Sequence, residues 1–192
     1  MPLSRISNNV ISDNTITNAK INSSAAIAQS KLGSLNVNVT TSNMPAGTIV
    51  QMVKNTFSSA DTTSGTSLTN TGLSVNITPI FQSSVFIVNT SQNFYISEEP
   101  GTDAQGQFVV QRTISGTDTK IKEVVVGDHT GSGNRSTTWD EINLIVHDTP
   151  NTTSQLTYRT QYKVYNSSYT AGVQTSSQTS HIVVYEIKQW QR

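Results

Sequence analysis

Residues 156–165 read LTYRTQYKVY, and the order of apolar and polar side chains in that stretch settles the fold class. On an extended chain Tyr158, Thr160, Tyr162 and Val164 fall on one side, while Arg159, Gln161, Lys163 and Tyr165 fall on the other. A period of two with one apolar and one wet side is the pattern of an antiparallel strand buried on a single face. Seven further runs read as strands: IVQMV at 49–53, LSVNI at 73–77, VFIVNT at 85–90, FVVQRTI at 108–114, KIKEVVV at 120–126, EINLIVH at 141–147 and HIVVYEI at 181–187. Between them lie SSADTTSGTSLTNTG, EEPGTDAQGQ, GDHTGSGNRST and NSSYTAGVQTSSQTS, polar segments without helical periodicity that read as loops. Eight short strands in this span predict an all-β, antiparallel sandwich of jelly-roll type rather than a small closed barrel. On such a scaffold recognition usually sits on the long loops.

Upstream the pattern changes. Met44-Pro45-Ala46-Gly47 punctuates the chain before the first strand, which sets a boundary between an N-terminal arm, residues 1–43, and a β-sandwich head, residues 44–192. The arm opens with isoleucines five residues apart, Ile6, Ile11, Ile16 and Ile21, separated mostly by Ser, Thr, Asn and Asp. Five steps turn a helical side chain by roughly 140°, and an odd step on a strand changes face, so neither element gathers these isoleucines on one side. A segment of this kind becomes ordered when another chain supplies the rest of its core. A short helix is expected over about 24–32, capped by Ser23 or Ser24 and ended by Gly33. At about two turns it is marginal alone. Ile6, Ile11, Ile16, Ile21, Ile27 and Leu32 are therefore the expected assembly and anchor residues.

Composition narrows the function classes. Only 12% of the 192 residues are charged, the net charge is zero, and Ser, Thr and Asn together exceed a third of the chain. Without a basic run to displace counterions, nucleic acid is not an expected partner. The chain has no cysteine, which leaves maturation in a reducing cytoplasm or reliance on packing and oligomerisation. Neither a signal-peptide core at the start nor a run of roughly 20 apolar residues is present, so ordinary secretion and membrane insertion are not expected.

The string ITNAKINSSAAIAQSKL, residues 16–32, resembles a motif that recurs in tail-fibre and other virion proteins of bacteriophages, where it precedes a β-rich part. The resemblance covers the first 35 residues; the remainder is similar only in general character to the small β heads of phage fibres. It implies a homotrimer built into a virion assembled in the cytoplasm of a bacterial host, with other virion proteins as partners and with no catalytic or cofactor residues. An extended stretch of 20 residues spans at most about 70 Å, so any stalk is a stub. Its place on tail, neck or capsid stays open.

The residues with chemical potential point away from catalysis. His129, His147 and His181 lack metal-ligand spacing, and His147-Asp148 is the only adjacent pair with ligand character; no protein-bound metal or cofactor is expected. Glycoside hydrolysis needs two carboxyls across a sugar, whereas Asp140-Glu141 point to opposite faces of a strand and Glu98-Glu99 lead into the Pro100-Gly101 turn. Exposed aromatics flanked by amides suit sugar recognition, but packing at a subunit contact is the more expected use. The candidates are Trp139, Tyr165 and Tyr169, with Tyr95 beside them, whereas Tyr158 and Tyr162 lie with the apolar face and read as core. The expected function is a non-enzymatic virion structural protein, a short trimeric tail fibre or fibre-like spike whose head meets the host surface. A capsid-decorating protein and a carbohydrate-binding module are the alternatives; a small depolymerase lacks the carboxylate geometry.

Overall fold

Each of the eight alternating runs falls on a β-strand, with Tyr165 alone beyond its strand's end, and two more strands lie where loops were expected. The structure, a computed structural model, describes residues 40–97, 104–128 and 137–189, all belonging to one unit, Thr40–Arg192. The six anchor residues Ile6, Ile11, Ile16, Ile21, Ile27 and Leu32, the expected helix, the Glu98-Glu99 pair, His129 and Trp190 lie outside the described residues. After a 3-10 turn at Thr41–Asn43 the chain forms β1 (Ile49–Phe57), β2 (Asp61–Thr63), β3 (Thr69–Ile77), β4 (Val85–Ser97) and β5 (Ala104–Ile114). There follow β6 (Thr117–Asp128), β7 (Thr137–Asp148), β8 (Leu156–Val164), β9 (Thr170–Val173) and β10 (Ser180–Ile187). β2 and β9 correct the expectation of unbroken loops. At three and four residues they are too short to show alternation, and they exist because β2 pairs with β9 and β9 pairs with β4.

The long strands pair in a nested order: β5 with β6, β4 with β7, β3 with β8 and β1 with β10, all antiparallel. A hairpin folded on itself in this way, then rolled so that β10 meets β4 and β8 meets β5, is a jelly roll. One sheet runs β1-β10-β4, with β7 on the far edge of β4; the other runs β3-β8-β5-β6. β4 is 13 residues long and outlasts β10. Its residues 85–91 face β10 and its residues 94–97 face β9, while β7 follows its other edge from Phe86 to Ser97.

The core sits between the sheets. Phe86, Phe94, Phe108, Tyr158, Tyr162 and Ile182 are fully buried, and Phe94 meets Phe108 and Tyr162 edge-on at 6.3 and 6.4 Å. Thr160 shares this apolar face because its hydroxyl has partners there. Thr71 Oγ1 lies 2.5 Å from it, and it donates to Gln92 Oε1 at 2.7 Å, which ties β3 and β8 to β4. Two buried acids brace the ends. Asp148 accepts from Arg112 Nη1 at 2.6 Å and from the Tyr158 hydroxyl at 2.7 Å, and so joins the sheets. Glu186 is fully buried and accepts from the backbone N–H groups of Ile80 and Phe81, the Ser84 hydroxyl and the Gln51 amide. A carboxylate with four donors retains its charge-assisted bonds away from water, so this acid can be buried without a cation. The β3–β4 connection is pinned through it. Among the described residues no helix is long and apolar enough to cross a membrane.

Candidate functional site on the outer face of the larger sheet

The alternation that buries Phe86, Val88, Thr90, Gln92, Phe94 and Ile96 of β4 turns Ile87, Asn89, Ser91, Asn93, Tyr95 and Ser97 outward. Strand register lines these up with neighbours in rows. Near the chain's entry, one row joins Ile49, Ile187 and Val85; the next joins Met52, Tyr185, Ile87 and His147; a third joins Lys54, Val183, Asn89 and Ile145. Ile49, Met52 and Ile145 are 54%, 51% and 69% exposed, so this end of the sheet presents large apolar side chains to its surroundings, beside Lys54 and His147. The entry itself is held by Lys188, whose Nζ bonds the carbonyls of Thr41 and Met44.

At the other end the character changes. Tyr95 pairs with Trp139 on one side and with Gly172 on the other, and Gly172 pairs with Thr62. Trp139 is 56% exposed, and its ring lies 4.8 Å from that of Tyr95 at 34°. A Cβ at position 172 would fall 2.1 Å from the Tyr95 ring, so the tyrosine lies flat across β9 only because that residue is glycine. The flanking rows hold Asn93 with Glu141, and Ser97 with Thr137 and Thr170. Thr175 Oγ1 donates to Asn93 Oδ1 at 2.8 Å, Thr137 Oγ1 donates to Ser97 Oγ at 3.1 Å, and the Ser91 hydroxyl donates to Glu141. The result is two fixed rings in a frame of hydroxyls and amides.

The three aromatics singled out in the sequence do not form one cluster. Trp139 has Tyr95 as its ring partner. Tyr165 follows β8 in the smaller sheet, where Lys163 Nζ sits 4.8 Å from its ring centre, and Tyr169 is half-buried against the core. His147 and Asp148 point to opposite faces, the histidine outward and the aspartate into the sandwich, so they make no ligand pair. Asp140 and Glu141 diverge in the same way: Asp140 Oδ1 accepts the Glu141 backbone N–H, and the Glu141 carboxylate takes the Ser91 hydroxyl. Among the described residues no group of three or more His, Cys, Asp or Glu side chains comes together. Two open recesses of about 190 and 230 Å³ flank Gly72 on β3; Arg159, which lines the first, is paired with Asp118. The roles of Gly172, Asp148 and Glu186 have no sequence signal, since each depends on a strand distant in the chain.

No family model matches the chain, and no curated protein does either. Solved structures similar to it include the VP2 subviral particle of infectious bursal disease virus, at 14% identity and a TM-score of 0.32, covering 73% of this chain and 38% of that one. The structure of the Gt strain of the same virus is similar at 12% identity and a TM-score of 0.31, again over 73% and 38% of the two chains. This chain therefore spans well under half the length of those viral chains.

Proposed function

We propose that the chain is a non-enzymatic structural component of a bacteriophage virion, a short trimeric fibre or fibre-like spike. In this reading residues 1–43 anchor it to the particle and the jelly-roll head is displayed toward the host surface. The observation that carries it is the set of exposed apolar side chains Ile49, Met52 and Ile145 on the outer face, with Ile87 and Ile187 half-buried among them and Lys54, Asn89 and His147 in the same rows. Large apolar side chains gathered on one exposed face are covered when the chain is a subunit of an assembly. The ITNAKINSSAAIAQSKL string supports the same reading through its resemblance to phage virion proteins.

Deleting residues 1–35 tests it. Incorporation into particles and the solution mass should both fall, while the β circular dichroism of the head persists. Unchanged incorporation and mass would remove the basis for an anchoring arm. The aliphatic face also favours a second reading, a capsid-decorating protein that clamps neighbouring shell subunits. Particles prepared without the protein would then lose heat or chelator resistance, whereas a host-attachment spike leaves shell stability unchanged.

A further inference from the structure

We propose that Trp139 and Tyr95 form a stacking platform for an uncharged hexose polymer, an inference that rests on the head being displayed toward the host surface. Sugar rings present an apolar C–H face and a rim of hydroxyls, and an aromatic surface edged by small polar groups matches both. Trp139 is more than half exposed and stacks on Tyr95, which is locked between that indole and the bare backbone of Gly172. Rings held in place before binding lose little conformational freedom when a ligand arrives. Asn93, Ser97, Thr137 and Thr170 border the pair on the same face and supply donors and acceptors at the edge.

Charge selects the class of sugar. In the three rows through Asn93, Tyr95 and Ser97 the only charged side chain at an outward position is Glu141, and it is acidic. Among the described residues of these rows an anionic polysaccharide meets no cation and one carboxylate, so a neutral polymer is favoured. Subunit contact is the competing use of an exposed indole, and the composition of the rows argues against it. They contain no aliphatic side chain, in contrast to the Ile49 row, which crosses β4 at Val85, ten residues or about 33 Å from Tyr95. A shallow platform binds weakly, and a repeating polymer engaged by several linked heads raises the effective affinity by orders of magnitude.

The test is affinity electrophoresis of the full chain through native gels containing dextran, mannan or galactan, with alginate as the anionic control. At least one neutral polymer should retard the protein and alginate should not. Trp139→Ala should weaken the retardation about tenfold or more, the factor expected from losing one good apolar contact, and Trp139→Phe should retain part of it. In a Trp190→Phe background Trp139 is the remaining tryptophan, and its emission should shift on adding the retarding polymer. The proposal is overturned if no neutral polymer retards the protein, if Trp139→Ala migrates as the parent does, or if Trp139→Ala changes the solution mass, which would make the ring a subunit contact. Trp139→Ala should still enter particles. Sugar binding that fails while incorporation survives removes this proposal alone, whereas an arm deletion without effect on incorporation removes the virion reading.

Discussion

Tyr158 and Tyr162 show how single side chains brace the interior, and their hydroxyls make the stability depend on pH. Both pKa values are pushed above the ordinary tyrosine range, first by burial and then by the carboxylate that each hydroxyl meets, Asp148 and Asp61 respectively. An unfolded tyrosine gives up its proton near pH 10, whereas these two retain theirs in the folded head. Above that pH the unfolded chain binds fewer protons than the native one, so stability is complete below about pH 10 and falls as the pH rises beyond it. The expected slope is up to about 1.4 kcal/mol per pH unit for each tyrosine. Urea unfolding at pH 9, 10 and 11 measures it, and Tyr158→Phe should make the slope shallower; an identical slope would mean that the Tyr158 proton is not linked to folding. That these tyrosines are buried is readable from LTYRTQYKVY. That each finds a carboxylate is not, because Asp61 lies 101 residues from Tyr162 in the chain.

Strand periodicity carried most of the architecture. The eight alternating runs fall on β1, β3, β4, β5, β6, β7, β8 and β10, since a half-buried strand must put its apolar side chains at every second position. Strand ends were less legible. β4 runs on to Ser97 through SQNFYIS, seven residues beyond the run VFIVNT, and β8 stops at Val164 one residue short of Tyr165. β9 is the element whose existence depends most on its neighbours: it occupies the edge of β4 that β10 vacates, and the Tyr95 ring lies across Gly172. Gly172→Val would place methyl groups inside that ring and drive Tyr95 off β9. The expected cost is about 1–3 kcal/mol, the usual range for overpacking, read as a lower denaturation midpoint with faster proteolysis near Thr170–Val173. A variant as stable and as protease-resistant as the parent would show that the ring does not need this close approach.

Across the assembled head, the two ends of one outer face have opposite characters. The end with Ile49, Met52, Ile145 and Ile187 is rich in large apolar side chains, and the end with Trp139 and Tyr95 is aromatic and polar. If the aliphatic end is covered by another subunit, placing a charge there should separate the subunits without unfolding them. Met52→Asp combined with Ile145→Asp is expected to lower the solution mass of the full chain toward that of a single copy, because an interface would have to desolvate both carboxylates. The β circular dichroism should stay as in the parent, since both side chains already face solvent in the head. A mass equal to that of the parent would leave this face without a role in association.

Reading the chain alone was enough to establish an all-β sandwich and the burial of Tyr158 and Tyr162. These follow from periodicity and local composition, which act over a few residues and are therefore written in order along the chain. The nesting of β1 with β10 around β4 and β7, the brief β2–β9 pair, the donors around Glu186 and the seating of Trp139 on Tyr95 emerged only once the strands were packed. Each of these joins residues tens to more than a hundred positions apart, and the energy that selects such a pairing comes from burial and hydrogen bonds between distant segments, which no local pattern encodes.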